Sequence, residues 1–313
     1  MQVDISPQGV RRSRKKNHLK IKASAVALFV KRSLCGITFF IIAVVSVLTI
    51  IRPSRTAKSV QLARGVSYER RYVNLVRPEV IHITEVDLAD PNISLLVTPS
   101  ANDYIPARTT TSFLAEFGAT VAVNGALFGP QSWDNPIVYY PHAGDNVKMR
   151  GQAISNSKEY SPPIRDWGVL CISKGNVITF HDQICPDGTE QALSGCGFLA
   201  KDGVVNLTYT DGTQHSLHSR TGVGINRKTK KMWLVVVDGR QWYYSEGISR
   251  NEFAVLMLDL GATDAMELDG GGSTTMAALI DGSVTLMNSP THTGIPRRER
   301  PVGNHLGVIV KKQ

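Results

Sequence analysis

The runs KMWLVVVD at 231–238, SRNEFAVLMLDLG at 249–261 and AMELD at 265–269 decide the fold. The first and last are short, apolar and rich in Val or Met, as buried strands are. Between them Ser249 and Glu252 form a capping box, Phe253, Leu256, Met257 and Leu260 share one helical face, and Gly261 supplies a stop. Two strands joined by one helix make a β-α-β crossover if they share a sheet. They then run parallel, and Asp238 and Asp269 stand at the same carboxyl-end edge.

Outward from this unit, strand-like runs recur at 80–88, 93–99, 119–124, 166–173, 176–180, 221–226 and 274–280. Turn signals such as Lys174-Gly175-Asn176, Asp202-Gly203, Asp211-Gly212 and Asp281-Gly282 separate several of them and point to antiparallel hairpins. A second helix, about Thr110 to Phe117, has Thr caps and ends at Gly118. The expected class is α+β, a mainly antiparallel or mixed β-sheet core with a few packed helices, preceded by one N-terminal transmembrane helix.

The charge is segregated. The chain is net +9, yet residues 1–33 hold nine Lys and Arg against Asp4 alone, and from Gly65 onward 22 bases face 25 acids. Nucleic acid is thereby excluded as a partner, since the main domain lacks a basic run with interleaved aromatics. After the basic tail, residues 34–51 (LCGITFFIIAVVSVLTII) carry no charge. At about 1.5 Å per residue they cover roughly 27 Å, close to a hydrocarbon core. The positive-inside rule puts the N-terminus in the cytoplasm and everything beyond Arg52 outside, at the cell membrane, single-pass, with the domain periplasmic or extracellular. The run is longer than a removable signal's core, and Thr56-Ala57 and Leu62-Ala63 are poor cleavage sites, which favours an uncleaved signal anchor. The expected organisation is a basic cytoplasmic tail at 1–33, a span at 34–51, a juxtamembrane linker at 52–66 and one domain at 67–313.

Outside the membrane disulfides are allowed. Cys35 falls in the span, leaving Cys171, Cys185 and Cys196. Cys185 and Cys196 flank a short stretch and either bridge or stay as unpaired core residues. No Cys or His spacing supports zinc.

Glu267-Leu268-Asp269-Gly270-Gly271-Gly272-Ser273-Thr274-Thr275-Met276 is the densest chemical feature. A strand ends in a carboxylate, three glycines let main chain approach a ligand and expose N–H groups, and hydroxyls follow. It is neither a P-loop, lacking the Lys, nor a nucleophile elbow. Asn124-Gly125, Asp238-Gly239-Arg240 and Arg220 likewise place polar residues at strand ends.

Val123-Asn124-Gly125 with Phe128, Ser219-Arg220-Thr221-Gly222-Val223-Gly224, Val237-Asp238-Gly239-Arg240, Leu268-Asp269-Gly270-Gly271-Gly272-Ser273-Thr274-Thr275-Met276 and Arg300-Pro301-Val302-Gly303-Asn304-His305 follow in that order. Over about 119–310 the chain resembles the phosphodiester glycosidases. That family has an animal member acting on N-acetylglucosamine-1-phosphodiesters and bacterial relatives described as exopolysaccharide-biosynthesis proteins. Two departures stand out: Ala126-Leu127-Phe128 replaces a Gly-Gly-Phe-Phe type run, and Gly303 stands where Ala is usual.

The resemblance implies a hydrolase that cuts a sugar-1-phosphodiester at the anomeric C–O bond, in envelope or exopolysaccharide metabolism, on a glycan or glycosyl-phosphate substrate, and the apolar run would anchor it to the membrane. A carboxylate near the anomeric carbon is then required, and Asp269 and Asp238 are the candidates, with Glu267 as a second acid. Arg220 and Arg300 would neutralise the departing phosphate. The Gly270, Gly271 and Gly272 amides would add anion contacts, and Asn124, Asn304 and Ser273 would hold sugar hydroxyls. Gly125, Arg240 and Thr274 complete the expected binding set. No cofactor is required by the sequence, and a divalent cation is left open. The competing expectation is a non-catalytic envelope protein that binds anionic polysaccharide during export.

Overall fold

The computed structural model describes residues 7–50, 54–100, 105–130, 141–207 and 215–311. The chain forms two compact units, Met1–Arg52 and Pro53–Gln313. In the first, helix α1 (Pro7–Ile50) runs through both the basic tail and the apolar run. Its window Val26–Val47, with mean hydropathy 2.0, is long and apolar enough to cross a membrane. That window begins earlier than the expected 34–51 and takes in Lys31 and Arg32.

The second unit is a sandwich of antiparallel sheets. Its largest sheet has eight strands, and five consecutive ones are Glu79–Asp87, Lys231–Val237, Arg220–Asn226, Asp264–Glu267 and Gly197–Lys201, in that spatial order. Lys231–Val237 and Asp264–Glu267 both pair antiparallel with Arg220–Asn226. They are therefore parallel to each other, as the crossover reading requires, with one antiparallel strand inserted between them. Helix α3 (Arg250–Asp259) makes the crossover, and both bonds of the Ser249–Glu252 capping box are present.

Alternation explains why the sheet's middle is apolar on both sides. Met232, Leu234 and Val236 face the sandwich interior, whereas Trp233, Val235 and Val237 face α3. In Arg220–Asn226 the α3 side is glycine: a Cβ on Gly222 would lie 2.6 Å from Met257, and one on Gly224 2.9 Å from Ala262. Opposite lies a five-stranded sheet that includes Met276–Ile280, Val121–Asn124 and His305–Val310, in that order. Helix α2 (Thr110–Phe117) covers its outer face, capped by Thr109 and by Gly118 at φ +64°. A further five-stranded sheet contributes Leu170, Ile172 and Leu193 to the same interior.

Two expectations are corrected. The segment 52–66, read as linker, contains strand Lys58–Ala63, which pairs with Val66–Val73 at the edge of the large sheet. The cysteine pairing also differs, because Cys171 bonds Cys185 and Cys196 is free. Cys171 lies in the middle of strand Val169–Ser173, and the loop carrying Cys185 folds back over it, tied by Cys185 N–H to Gln152 Oε1 at 2.8 Å. Cys196 instead leads into the large sheet, its N–H donating to the Glu267 carbonyl at 2.7 Å.

Candidate active site

Strand ends of the two facing sheets meet at one end of the sandwich. Arg220 opens its strand opposite Val237, and Gly222 stands opposite Glu267. Past Glu267 the chain leaves the large sheet and crosses through Gly270, Gly271 and Gly272 to Met276–Ile280. Gly270 and Gly272 have neighbours that a side chain would crowd, and Gly271 has a backbone conformation that a side chain would strain. A Cβ on Gly270 would come within 3.0 Å of the Ser219 carbonyl, and one on Gly272 would collide with the Arg300 guanidinium. Gly271 has φ +59°, with Arg240 Nη1 3.5 Å from its Cβ position. The triglycine turn thus admits the Arg300 guanidinium against bare main chain at Gly272, with Arg240 nearby at Gly271.

Asp269 stands at the mouth of this turn, only 9% exposed. Burial pushes its carboxyl up to about 6, against the downward pull of the Ser273 hydroxyl, Arg300 and the Gly270 amide. The Ser273 hydroxyl donates to Asp269 and accepts from Arg300 Nη1 at 3.1 Å, so it couples carboxylate to guanidinium.

The residues expected to hold sugar hydroxyls lie behind Asp269. Asn124 Nδ2 donates to the Asp269 carbonyl at 2.6 Å, and Asn124 Oδ1 accepts from Thr221 Oγ1 and the Thr275 amide. The Asp269 amide donates to the Gly125 carbonyl, whose own amide donates to the Asn304 carbonyl. Asn304 Oδ1 accepts from the Ala126 amide at 2.8 Å. Asn124 and Asn304 are fully buried, and these bonds fix the Asp269 main chain. Thr274 is also fully buried; its carbonyl accepts from Asn288, and its hydroxyl has no partner among the described residues.

The other acids are equally enclosed. Glu267, 3% exposed, pairs with Arg220 Nη1 through one oxygen and with Arg250 Nε through the other. Arg220 also donates to the Ile248 and Ser216 carbonyls at 2.8 and 3.0 Å, which locks its fork. Asp238, 1% exposed, accepts from His82 Nε2, the Tyr244 hydroxyl, Asn288 Nδ2 and the Ser289 amide. Asp238 and Asp269 do share one end of the sheet, yet only Asp269 keeps an oxygen environment linked to a partly exposed arginine. Among the described residues no three His, Cys, Asp or Glu side chains gather as a metal site.

Two histidines escaped the sequence reading. Arg240 Nε and Nη2 donate to His218 Nδ1 at 3.2 and 2.9 Å, and Arg300 Nε donates to His292 Nδ1 at 3.3 Å. Each imidazole therefore accepts through Nδ1 and is neutral. Burial and the adjacent guanidinium push His292 down to about 4 and His218 in the same direction. His218 precedes Arg220 by two residues, a spacing that offered a clue, whereas His292 lies outside every motif.

A family model described as phosphodiester glycosidase matches residues 117–309. The chain belongs to the phosphodiester glycosidase family. Three solved structures share the fold. One is a hypothetical protein from Synechocystis (TM-score 0.62, 16% identity, 82% of this chain and 64% of that one). Another is the zebrafish N-acetylglucosamine-1-phosphodiester α-N-acetylglucosaminidase catalytic domain auto-inhibited by its pro-peptide (TM-score 0.58, 20% identity, 84% and 92%). The third is a protein of Burkholderia pseudomallei described as exported (TM-score 0.54, 15% identity, 74% of each). A search of curated proteins gave no match.

Within the phosphodiester glycosidase domain, the departure at Gly303 has a local reason. A Cβ there would collide with Met149 Sδ and lie 3.0 Å from Val147. Glycine accommodates the short sheet that Val147 and Met149 form with Phe128–Pro130.

Proposed function

We propose that the chain hydrolyses sugar-1-phosphodiesters of the N-acetylglucosamine-1-phosphodiester type, releasing free sugar and leaving phosphate on the acceptor. The observation that carries this reading is the buried Asp269 carboxyl, shifted to about 6 and joined through Ser273 to Arg300 at the triglycine turn. Ionised, Asp269 supports the positive charge that develops at the anomeric carbon. A phosphate monoester leaves as an anion, so charge neutralisation matters more than a general acid. The exposed Arg240 beside Gly271 and the partly buried Arg300 beside Gly272 serve that need. Arg220 was expected to share this task with Arg300; its lock on Glu267 makes it a positioning residue, and the saturated Asp238 is another. Membrane anchorage through 34–51, with the N-terminus cytoplasmic and the domain outside, is supported by the apolar helix and the basic tail. A role in envelope or exopolysaccharide metabolism rests on family resemblance alone.

The test uses the full chain in detergent with UDP-GlcNAc and methyl-phospho-GlcNAc, reading free GlcNAc by chromatography. Wild type turns over, and Asp269→Ala loses about 10³-fold in kcat or more. Unchanged turnover in Asp269→Ala removes that residue from the chemistry. Saturable glycan binding with no sugar released favours the non-catalytic alternative.

A further inference from the structure

Two residues beyond Arg240 the chain presents large rings to solvent. Trp242 is 72% and Tyr243 70% exposed, and the rings stack on each other with centroids 4.2 Å apart. Their turn is held from below. The Gln241 amide donates to the Ser245 carbonyl and the Ser245 amide to the Gln241 carbonyl. The buried Gln241 side chain exchanges bonds with Ser289, donating to its carbonyl at 2.8 Å and accepting from its hydroxyl at 2.9 Å. Tyr244 donates to the Asp238 carboxylate, and the Ser245 hydroxyl donates to the Asp238 carbonyl at 2.6 Å. Residues 241, 244 and 245 thus pin the turn, and 242 and 243 are held out.

The arrangement carries strain. Tyr243 has φ +62° and Arg240 φ +57°, left-handed conformations that cost an aromatic or long side chain about 1 kcal/mol or more. Such strain persists where surrounding bonds over-determine it, and it clusters at ligand clamps. The turn is also continuous with the active site. Arg240 lies against Gly271, and Asn288 bonds both the Asp238 carboxylate and the Thr274 carbonyl of the triglycine segment.

We propose that Trp242 and Tyr243 form a carbohydrate-stacking subsite for a pyranose ring of the acceptor, the part of the substrate beyond the phosphate. The inference rests on the sugar-1-phosphodiester reading. Asp269 takes the anomeric carbon, Arg240 at Gly271 takes the phosphate, and the next group outward meets the aromatic pair. A pyranose matches this surface: its C–H face covers an aromatic face, and its hydroxyls remain in water or reach flanking cations. Arg55, which donates to the Tyr243 carbonyl at 2.7 Å, supplies a nearby cation.

The experiment compares wild type, Trp242→Ala, Tyr243→Ala and Tyr243→Gly as full chains in detergent micelles. Two substrates are used, methyl-phospho-GlcNAc and the same diester on the 6-hydroxyl of maltotriose. Binding of maltotriose 6-phosphate, which needs no turnover, is read by calorimetry. The ratio of KM for the maltotriose diester to KM for the methyl diester is expected to rise about 3- to 10-fold in each alanine variant, with the probe weakened by the same factor. Tyr243→Gly relieves the strained φ, so its Tm is expected to rise while its probe affinity falls. Equal KM ratios with unchanged probe affinity overturn the subsite. Trp242 emission quenched by brominated lipid, with no response to the probe, also overturns it in favour of a membrane contact. Tryptophan-dependent probe binding without hydrolysis of either diester supports the subsite and refutes the hydrolytic reading.

Discussion

Asp269 is a residue whose burial opposes stability at neutral pH. A free aspartate ionises near 3.8, whereas burial holds this one up to about 6 in the folded chain. The folded state therefore binds the proton more tightly. The stability this contributes is full below pH 4 and is lost as pH rises through about 6, to the extent of about 3 kcal/mol. Asp269→Asn is expected to melt above wild type at pH 7.5 and close to it at pH 4, with no turnover. Calorimetric scans at the two pH values check this, and a variant that gains nothing at pH 7.5 counts against the buried-charge account. The wild-type rate should climb through the same window if the ionised form acts. Asp269 drew the sequence reading because a carboxylate followed by three glycines and hydroxyls is a dense chemical feature. Nothing in the sequence showed that Arg220 is tied to Glu267, since no local pattern reveals that Arg250 lies across Glu267 and completes a closed ion triad. His292 gave no signal at all, because its importance comes from Arg300, eight residues downstream and brought close only by the fold.

At the scale of elements, glycine does for the strands what the capping box does for the helix. Ser249 and Glu252 announce where α3 begins, and that much could be read directly. Where α3 sits depends on Gly222 and Gly224, whose role becomes visible only once the strand lies beneath Met257 and Phe253. Gly222→Ala is expected to cost about 1–3 kcal/mol through overpacking. Urea titrations should show Gly222→Ala/Met257→Leu losing less than the sum of the single variants, because the two sites share one contact. Strict additivity would mean that α3 shifts as a body instead. The crossover itself was read correctly, but the strand inserted within it was not. Arg220–Asn226 precedes both parallel strands in the chain, so sequence order gave no reason to place it between them. Lys58–Ala63 was missed for a different reason. It is a short, Lys-bearing edge strand whose alternation is blurred by partial exposure on both faces, as protective edge strands commonly are.

For the whole molecule, the segregated charge and the cysteines make one joint claim about compartments. Nine bases precede the apolar run, and the domain beyond it is slightly acidic, so the proposed topology keeps the tail in the cytoplasm and puts the domain outside. A bond between Cys171 and Cys185, 14 residues apart, belongs in such an oxidising space and is worth about 3 kcal/mol. Cys196 is different: burial and the nearby Asp269 and Glu267 carboxylates push its thiol well up, so it resists alkylation in the native chain. Membranes carrying the full chain, denatured without reductant and treated with a maleimide polymer, are expected to show two additions, at Cys35 and Cys196. With reductant the count should be four. Four additions without reductant would place the domain in a reducing compartment and reverse the orientation. The same bond gives a stability reading, since Cys171→Ser and Cys185→Ser should each lower Tm to the value of the reduced wild type. A single-Cys variant that melts like the oxidised protein would mean that the loop is held by the Gln152 bond to Cys185 and not by the disulfide.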